Sequence, residues 1–205
     1  MTQEAWLIFA TFWIVFVTTP GPNAANCIQN GMAFGFQRSL WGVAGILTQA
    51  LLFLLLSAAG VGAVIAAAPE VFVWVQFAGA ALLVWLGIRG WMRAGTPVVL
   101  PRQAGSIYGR AFLIATINAK SLAGYIAAFS LFVAPGPIWP QMVVIVPTAL
   151  TLTALSYCGF TALGAGLGRA ALGTVFNTWI RRGLAACFVA YGAALGSAAW
   201  QGRSA

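Results

Sequence analysis

The chain has 205 residues, 61% of them hydrophobic and only 6% charged, with a formal net charge of +8 and a mean hydropathy of +0.94. Soluble domains carry roughly 25% charged residues, so this balance excludes a soluble fold. The sequence contains no His and no Asp, which leaves hydrolytic triads, His-ligated metals and paired-carboxylate catalysis without their usual parts; no enzyme activity, cofactor or metal site is expected.

Apolar stretches of about twenty residues mark membrane-crossing helices. They occur here at roughly 6–36, 40–67, 71–91, 110–133, 141–167 and 179–200. The connections are short, so the expected fold is all-α, a single polytopic domain over residues 1–205 with six transmembrane helices. The first stretch opens on "MTQEAW", which has Glu4 and no basic residue; that fits a retained span better than a cleavable signal peptide. Its interior carries "TTPGPN", residues 18–23. Proline removes a backbone donor and glycine offers no resistance to unwinding. In lipid, the polar groups so freed must be satisfied by protein or by water in a cavity. If Trp6 marks the outer interface, Pro20 lies about 21 Å along the helix, inside the hydrocarbon slab. A half-helix restarting at Pro22 would expose unpaired amides and the positive end of its dipole there, and Asn23 adds a further amide. Pro20, Gly21, Pro22 and Asn23 thus form a candidate site for a carboxylate. The plainer alternative is a tolerated kink, or a shorter span followed by "NAANCIQNGMAFGFQ" at the interface.

The second stretch contains Thr48 and Gln49, which either line the same path or bond to a neighbouring helix. Gly42, Gly45, Gly60 and Gly62 there, Gly79 and Gly87 in the third, and Gly159, Gly164 and Gly168 around the fifth are spaced for close helix approach. After the polar connection Arg93–Gly105 comes "TINAK", Thr116–Lys120, inside the fourth stretch, the expected counterpart of the break at Thr19–Asn23: both follow an apolar stretch and both include Thr and Asn. Only residues 121–134 separate Lys120 from the next turn, roughly 21 Å of helix against a slab of about 30 Å. Lys120 is therefore expected to be submerged beside Asn118, facing a cavity or pairing with backbone carbonyls. The second Pro-Gly-Pro, Pro135–Pro137, lies between spans and reads as an ordinary turn. Trp6, Trp41, Trp91, Trp139, Trp179 and Trp200 fall near span ends, as an interfacial belt requires. Cys27, Cys158 and Cys187 lack the spacing of a disulfide or zinc framework and read as packing residues.

Cations sort by connection. Arg38, Arg89, Arg93, Arg102, Arg110, Arg169, Arg181 and Arg182 flank alternate loops, against Arg203 alone on the other side. This positive-inside pattern puts both termini outside the cytoplasm. Nucleic acid is not an expected partner, because no cations cluster with aromatic platforms on a soluble face. Glu4 and Glu70 mark outer ends rather than proton sites. The mid-chain connection divides the spans into two sets of three, roughly 1–95 and 105–205, and an odd number per half predicts an inverted repeat of the kind common in secondary transporters.

"TPGPN" with "GMAFGFQRSLWGVAG" and "FAGAALLVWLGIRGW" resembles the lysine exporter (LysE/RhtB) family, and the resemblance runs the length of the chain. The family's fourth-span pattern is Asn-Pro-Lys; here Asn118 and Lys120 match, and Ala119 replaces the proline, so no proline forces a break at that point. The resemblance implies export of amino acids or related small metabolites across a bacterial cytoplasmic (inner) membrane, with protons as the usual driving ion. The residues themselves add that no carboxylate lies deep in any span. A half-helix end plus Lys120 and Asn118 suits the carboxylate of a neutral amino acid, with Gln49 as an accessory. A non-transporting assembly subunit or small-ligand receptor shares the composition. A channel is a further alternative, though no ring of repeated charges or filter-like sequence favours it. Coupling ion, flux direction and any homo-oligomer are not written in the sequence.

Overall fold

The computed structural model describes residues 2–67, 69–96, 105–133 and 137–204. Among these residues the chain forms helices and no strand: α1 (Gln3–Thr18), α2 (Pro22–Ala67), α3 (Pro69–Met92), α4 (Ile107–Ile117), α5 (Ala119–Phe132), α6 (Ile138–Leu167), α7 (Arg169–Val175) and α8 (Thr178–Ser204). Arg102, Pro135 and Gly136 lie outside the described residues, as do the side chains of Glu70 and Arg203. By length and composition, four helices suffice to cross a membrane: Pro22–Gly60, Trp74–Met92, Ile138–Leu167 and Thr178–Gln201. The apolar stretches at 6–36 and 110–133 are not single helices. The first is α1 followed by the start of α2, and the second is α4 followed by α5; α1 and α4 are shorter apolar helices.

Within α2, Gly35 takes φ 72°, ψ 174°, a backbone region that side-chain-bearing residues rarely enter. It separates an arm over 22–34 from a longer arm over 36–67. The arms fold back on each other, since a Cβ on Gly42 would meet the Asn30 side chain at 2.9 Å. The shorter arm lies between α4 and α6. Ala24, Cys27 and Ile28 pack there with Ala111, Ala115, Tyr157 and Phe160. Gly31 and Gly164 make this possible, because a Cβ on Gly31 would strike the Thr161 carbonyl and one on Gly164 the Ile28 carbonyl. Gly87 of α3 and Gly192 of α8 form a second reciprocal close approach. Gly45, Gly62 and Gly79 also face neighbours at short range, whereas Gly60 and Gly159 face open space and Gly168 serves a turn at φ 56°.

The main core is aromatic and centred on α1. Phe9, Phe12, Trp13 and Phe16 are buried against Tyr125 and Phe129 of α5, Ala149 of α6 and Phe188 of α8. Trp13 Nε1 donates to Ala149 O and Thr153 Oγ1, both at 3.0 Å, so its one polar atom is satisfied in an apolar setting. The outside of the bundle is also apolar. Leu56, Met92, Leu113, Val143 and Leu155 are exposed, with all six tryptophans named for the interfacial belt. Contiguous apolar surface of this kind suits lipid rather than water.

Candidate functional site

The last turn of α1 contains two threonines. Thr18 Oγ1 donates to Ile14 O and Thr19 Oγ1 to Val15 O, each at 2.6 Å; such back-bonding competes with the helix and bends it. Thr19 then turns extended (φ −61°, ψ 118°). Pro20 and Gly21 bridge to Pro22, which opens α2 at a position where its missing donor matters least. The helix resumes with Ala25 N bonding to Gly21 O at 3.0 Å. The amides of Asn23 and Ala24 stand ahead of that first bond, at the positive end of the helix dipole.

A second break sits beside the first. Asn118 is extended (φ −71°, ψ 106°) and is at once the last residue of α4 and the cap of α5. Its Oδ1 accepts from Lys120 N at 3.1 Å. A chain break therefore forms without the proline, because asparagine is among the best N-cap residues. Thr116 Oγ1 bonds back to Phe112 O at 2.8 Å, repeating the threonine device of the first break.

Lys120 joins the two breaks. Its Nζ donates to Thr19 O at 2.6 Å and lies 5.2 Å from the centre of the Phe16 ring. The freed carbonyl at the end of α1 thus receives a charge-assisted bond, and the ring face adds about 0.5–2 kcal/mol. Only one of the three ammonium donors is used in this way. Gly21 lies beside the lysine stem, where a Cβ would stand in ordinary contact with Lys120 Cδ at 3.9 Å.

These groups line a cavity of about 580 Å³. Thr19, Pro20, Gly21 and Pro22 form one wall, with Asn118 and Lys120 beside them and Ile114 and Ile117 from α4. Trp85, Leu86, Arg89 and Arg93 close the α3 side, and Arg181, Ala185 and Phe188 the α8 side. Among the described residues, four cations and no carboxylate face this space. Arg181 is fixed by donating to Thr96 O at 2.9 Å and Arg93 O at 2.7 Å, and Arg89 stacks over Trp85 at 4.9 Å. The chemistry offered is a polar, positive floor for a small anionic group and an apolar wall for what it carries.

Of the residues singled out from the sequence, Pro20, Gly21, Pro22, Asn118 and Lys120 are brought together. Asn23 and Gln49 are not in the cavity lining. Asn23 is buried, with Nδ2 3.5 Å from Tyr157 Oη and Oδ1 unpartnered; Gln49 is buried in α2 with Nε2 unpartnered. Thr48 is exposed and accepts from Tyr108 Oη at 2.9 Å. Three arginines that sequence reasoning used only as topology markers, Arg89, Arg93 and Arg181, line the cavity. A fourth, Arg110, bonds to the buried side chains of Asn26, at 3.2 Å, and Asn30. The signal for that pair was legible: two asparagines one helical turn apart inside an apolar stretch need a partner.

Residues 14–199 match the family described as LysE type translocator. The chain belongs to that family. It is a membrane translocator rather than an enzyme, and its relatives include amino-acid exporters. A protein of Vibrio cholerae, described as an uncharacterized membrane protein, is 33% identical over 82% of this chain and 85% of its own length. The homoserine/homoserine lactone efflux protein of Salmonella typhimurium is 25% identical over 97% of this chain and 98% of its own. The leucine efflux protein of Klebsiella pneumoniae is 27% identical over 75% and 74%. No solved structure matches the chain.

Proposed function

We propose that this translocator exports a neutral amino acid or a related zwitterionic metabolite across the bacterial cytoplasmic membrane. The observation that carries the reading is the Lys120 ammonium, set beside the amide end of α2 in a cavity lined by cations and apolar groups. The substrate carboxylate binds between Lys120 Nζ and the first-turn amides of α2, where charge and dipole both favour it. Its side chain lies against Ile114, Ile117 and Phe188. A lysine- or arginine-like side chain finds no counter-charge in this lining. The relatives named for homoserine and leucine efflux both handle side chains without charge, in keeping with that exclusion.

In this reading α1 with the short arm of α2 makes the first of six spans, and α4 with α5 makes the fourth. Halves over roughly 1–95 and 105–205 form an inverted repeat and rock against each other around the two breaks. A threonine back-bond ahead of an extended residue at both breaks supports the repeat. The cation-rich loops face the cytoplasm, so both termini lie outside and the arginine-lined cavity receives substrate from within. Protons couple to transport through Lys120, the titratable group at the junction of the breaks.

Proteoliposomes holding purified protein provide the test. Loaded with radiolabelled leucine or homoserine, those with the natural chain release the label faster than protein-free vesicles. Lys120→Ala combined with Asn118→Ala, both in the cavity lining, abolishes this release. Undiminished transport by that double variant overturns the proposed site.

A further inference from the structure

On the lipid-facing side of the bundle, α3 and α8 enclose a second depression of about 500 Å³, separate in its lining from the first except for Ala185. Its walls are Gly87, Ile88, Trp91 and Met92 on one helix and Ala185, Ala186, Val189 and Ala190 on the other, without a polar side chain. Close approach of the two helices at Gly87 creates the floor. Ile88, Trp91 and Met92 are exposed along its rim.

One end of this groove is charged. Arg182 sits between two indoles, its guanidinium carbon 5.4 Å from the ring centre of Trp91 and 5.4 Å from that of Trp179. Trp91 belongs both to this sandwich and to the groove wall. The Arg182 Nε is buried and has no acceptor. The two indole faces orient the guanidinium without supplying an oxygen.

We infer that the groove and Arg182 form a binding site for one anionic phospholipid of the surrounding bilayer. A phosphate oxygen of the headgroup accepts from Arg182, and an acyl chain lies along the groove beside Gly87, Ala186 and Ala190. Charge complementarity selects this occupant. The nearby cations Arg89, Arg93 and Arg181 raise the positive potential at the same end of α3 and α8, and anionic headgroups are drawn to such positions at the membrane surface. Tryptophans at this level are suited to the boundary between acyl chains and headgroups.

Native mass spectrometry of the purified chain, exchanged into detergent with equal amounts of phosphatidylglycerol and phosphatidylcholine, tests the site. The natural chain is expected to retain phosphatidylglycerol in at least fivefold preference. Arg182→Gln removes the preference, and Ala186→Trp, which fills the groove, removes retention. Arg169→Gln, an equal loss of charge at an exposed arginine of α7, leaves both unchanged. Equal retention of the two lipids by the natural chain overturns the inference, as does preference surviving in Arg182→Gln. A dimer of the natural chain that Ala186→Trp dissociates also overturns it, because the groove would then hold a second copy.

Discussion

The two helix breaks reach nearly the same backbone geometry from different residues. Thr19 leaves α1 at ψ 118° and Asn118 leaves α4 at ψ 106°, each after a threonine, Thr18 and Thr116, that bonds back to the preceding turn. At the first break the interruption is covalent: Pro20, Gly21 and Pro22 remove donors and stiffness, and no packing could restore a helix through them. At the second there is neither proline nor glycine. One asparagine side chain supplies the cap, and Lys120 crosses to the first break. An interruption imposed by the backbone resists change, whereas one held by side chains depends on each of them.

That contrast can be broken most severely at Lys120. Lys120→Ala strips the ammonium from Thr19 O, and loss of a charged hydrogen bond of about 1.5–3 kcal/mol predicts a fall in export of roughly tenfold or more. Initial rates in proteoliposomes check this, and a rate within twofold of the natural chain contradicts it. Next in size is Gly124→Ala. A Cβ there overlaps the Phe16 ring, the same ring that faces Lys120, so both breaks are disturbed through one contact. Overpacking of this kind costs about 1–3 kcal/mol, readable as a lowered thermal midpoint in detergent together with slower export.

Asn118→Ala deletes the cap of α5 and is expected to lower stability by about 1 kcal/mol; Asn118→Asp keeps an acceptor and should lose much less. Thermal unfolding of the two variants separates the cap from any other role of the residue. The smallest effect is expected from Ala119→Pro, which makes the second break resemble the first. Ala119 is the first residue of α5 and Asn118 is already extended, the conformation that suits a residue before proline. The change should be neutral or stabilising by about 0.4–1 kcal/mol, and a marked loss of stability would show that the second break needs its alanine amide.

Much of this was readable along the chain because hydropathy and proline act locally. The all-helical fold, the Pro20–Pro22 break and the pairing of Asn118 with Lys120 followed from residue types and spacing. The second break was legible only as a counterpart of the first in "TINAK"; with alanine at 119, what makes the interruption is capping by Asn118, a side-chain event that composition does not mark. The turn at Gly35 was equally silent, one glycine among many in an apolar stretch. Gln49 looked like a path-lining residue because it is polar within a span, yet which face of α2 it occupies depends on how that helix packs.

What the sequence by itself determined is the medium and the weak points: so few charges over so many apolar residues require lipid, and Pro-Gly-Pro cannot continue a helix. Tertiary structure alone decided which freed carbonyl Lys120 meets, and it alone turned Arg89, Arg93 and Arg181 from loop markers into a cavity wall. The physical reason is range. Backbone preference and transfer into lipid are set residue by residue, whereas a bond from residue 120 to residue 19 exists only once the packing of the aromatic core has brought α5 against α1.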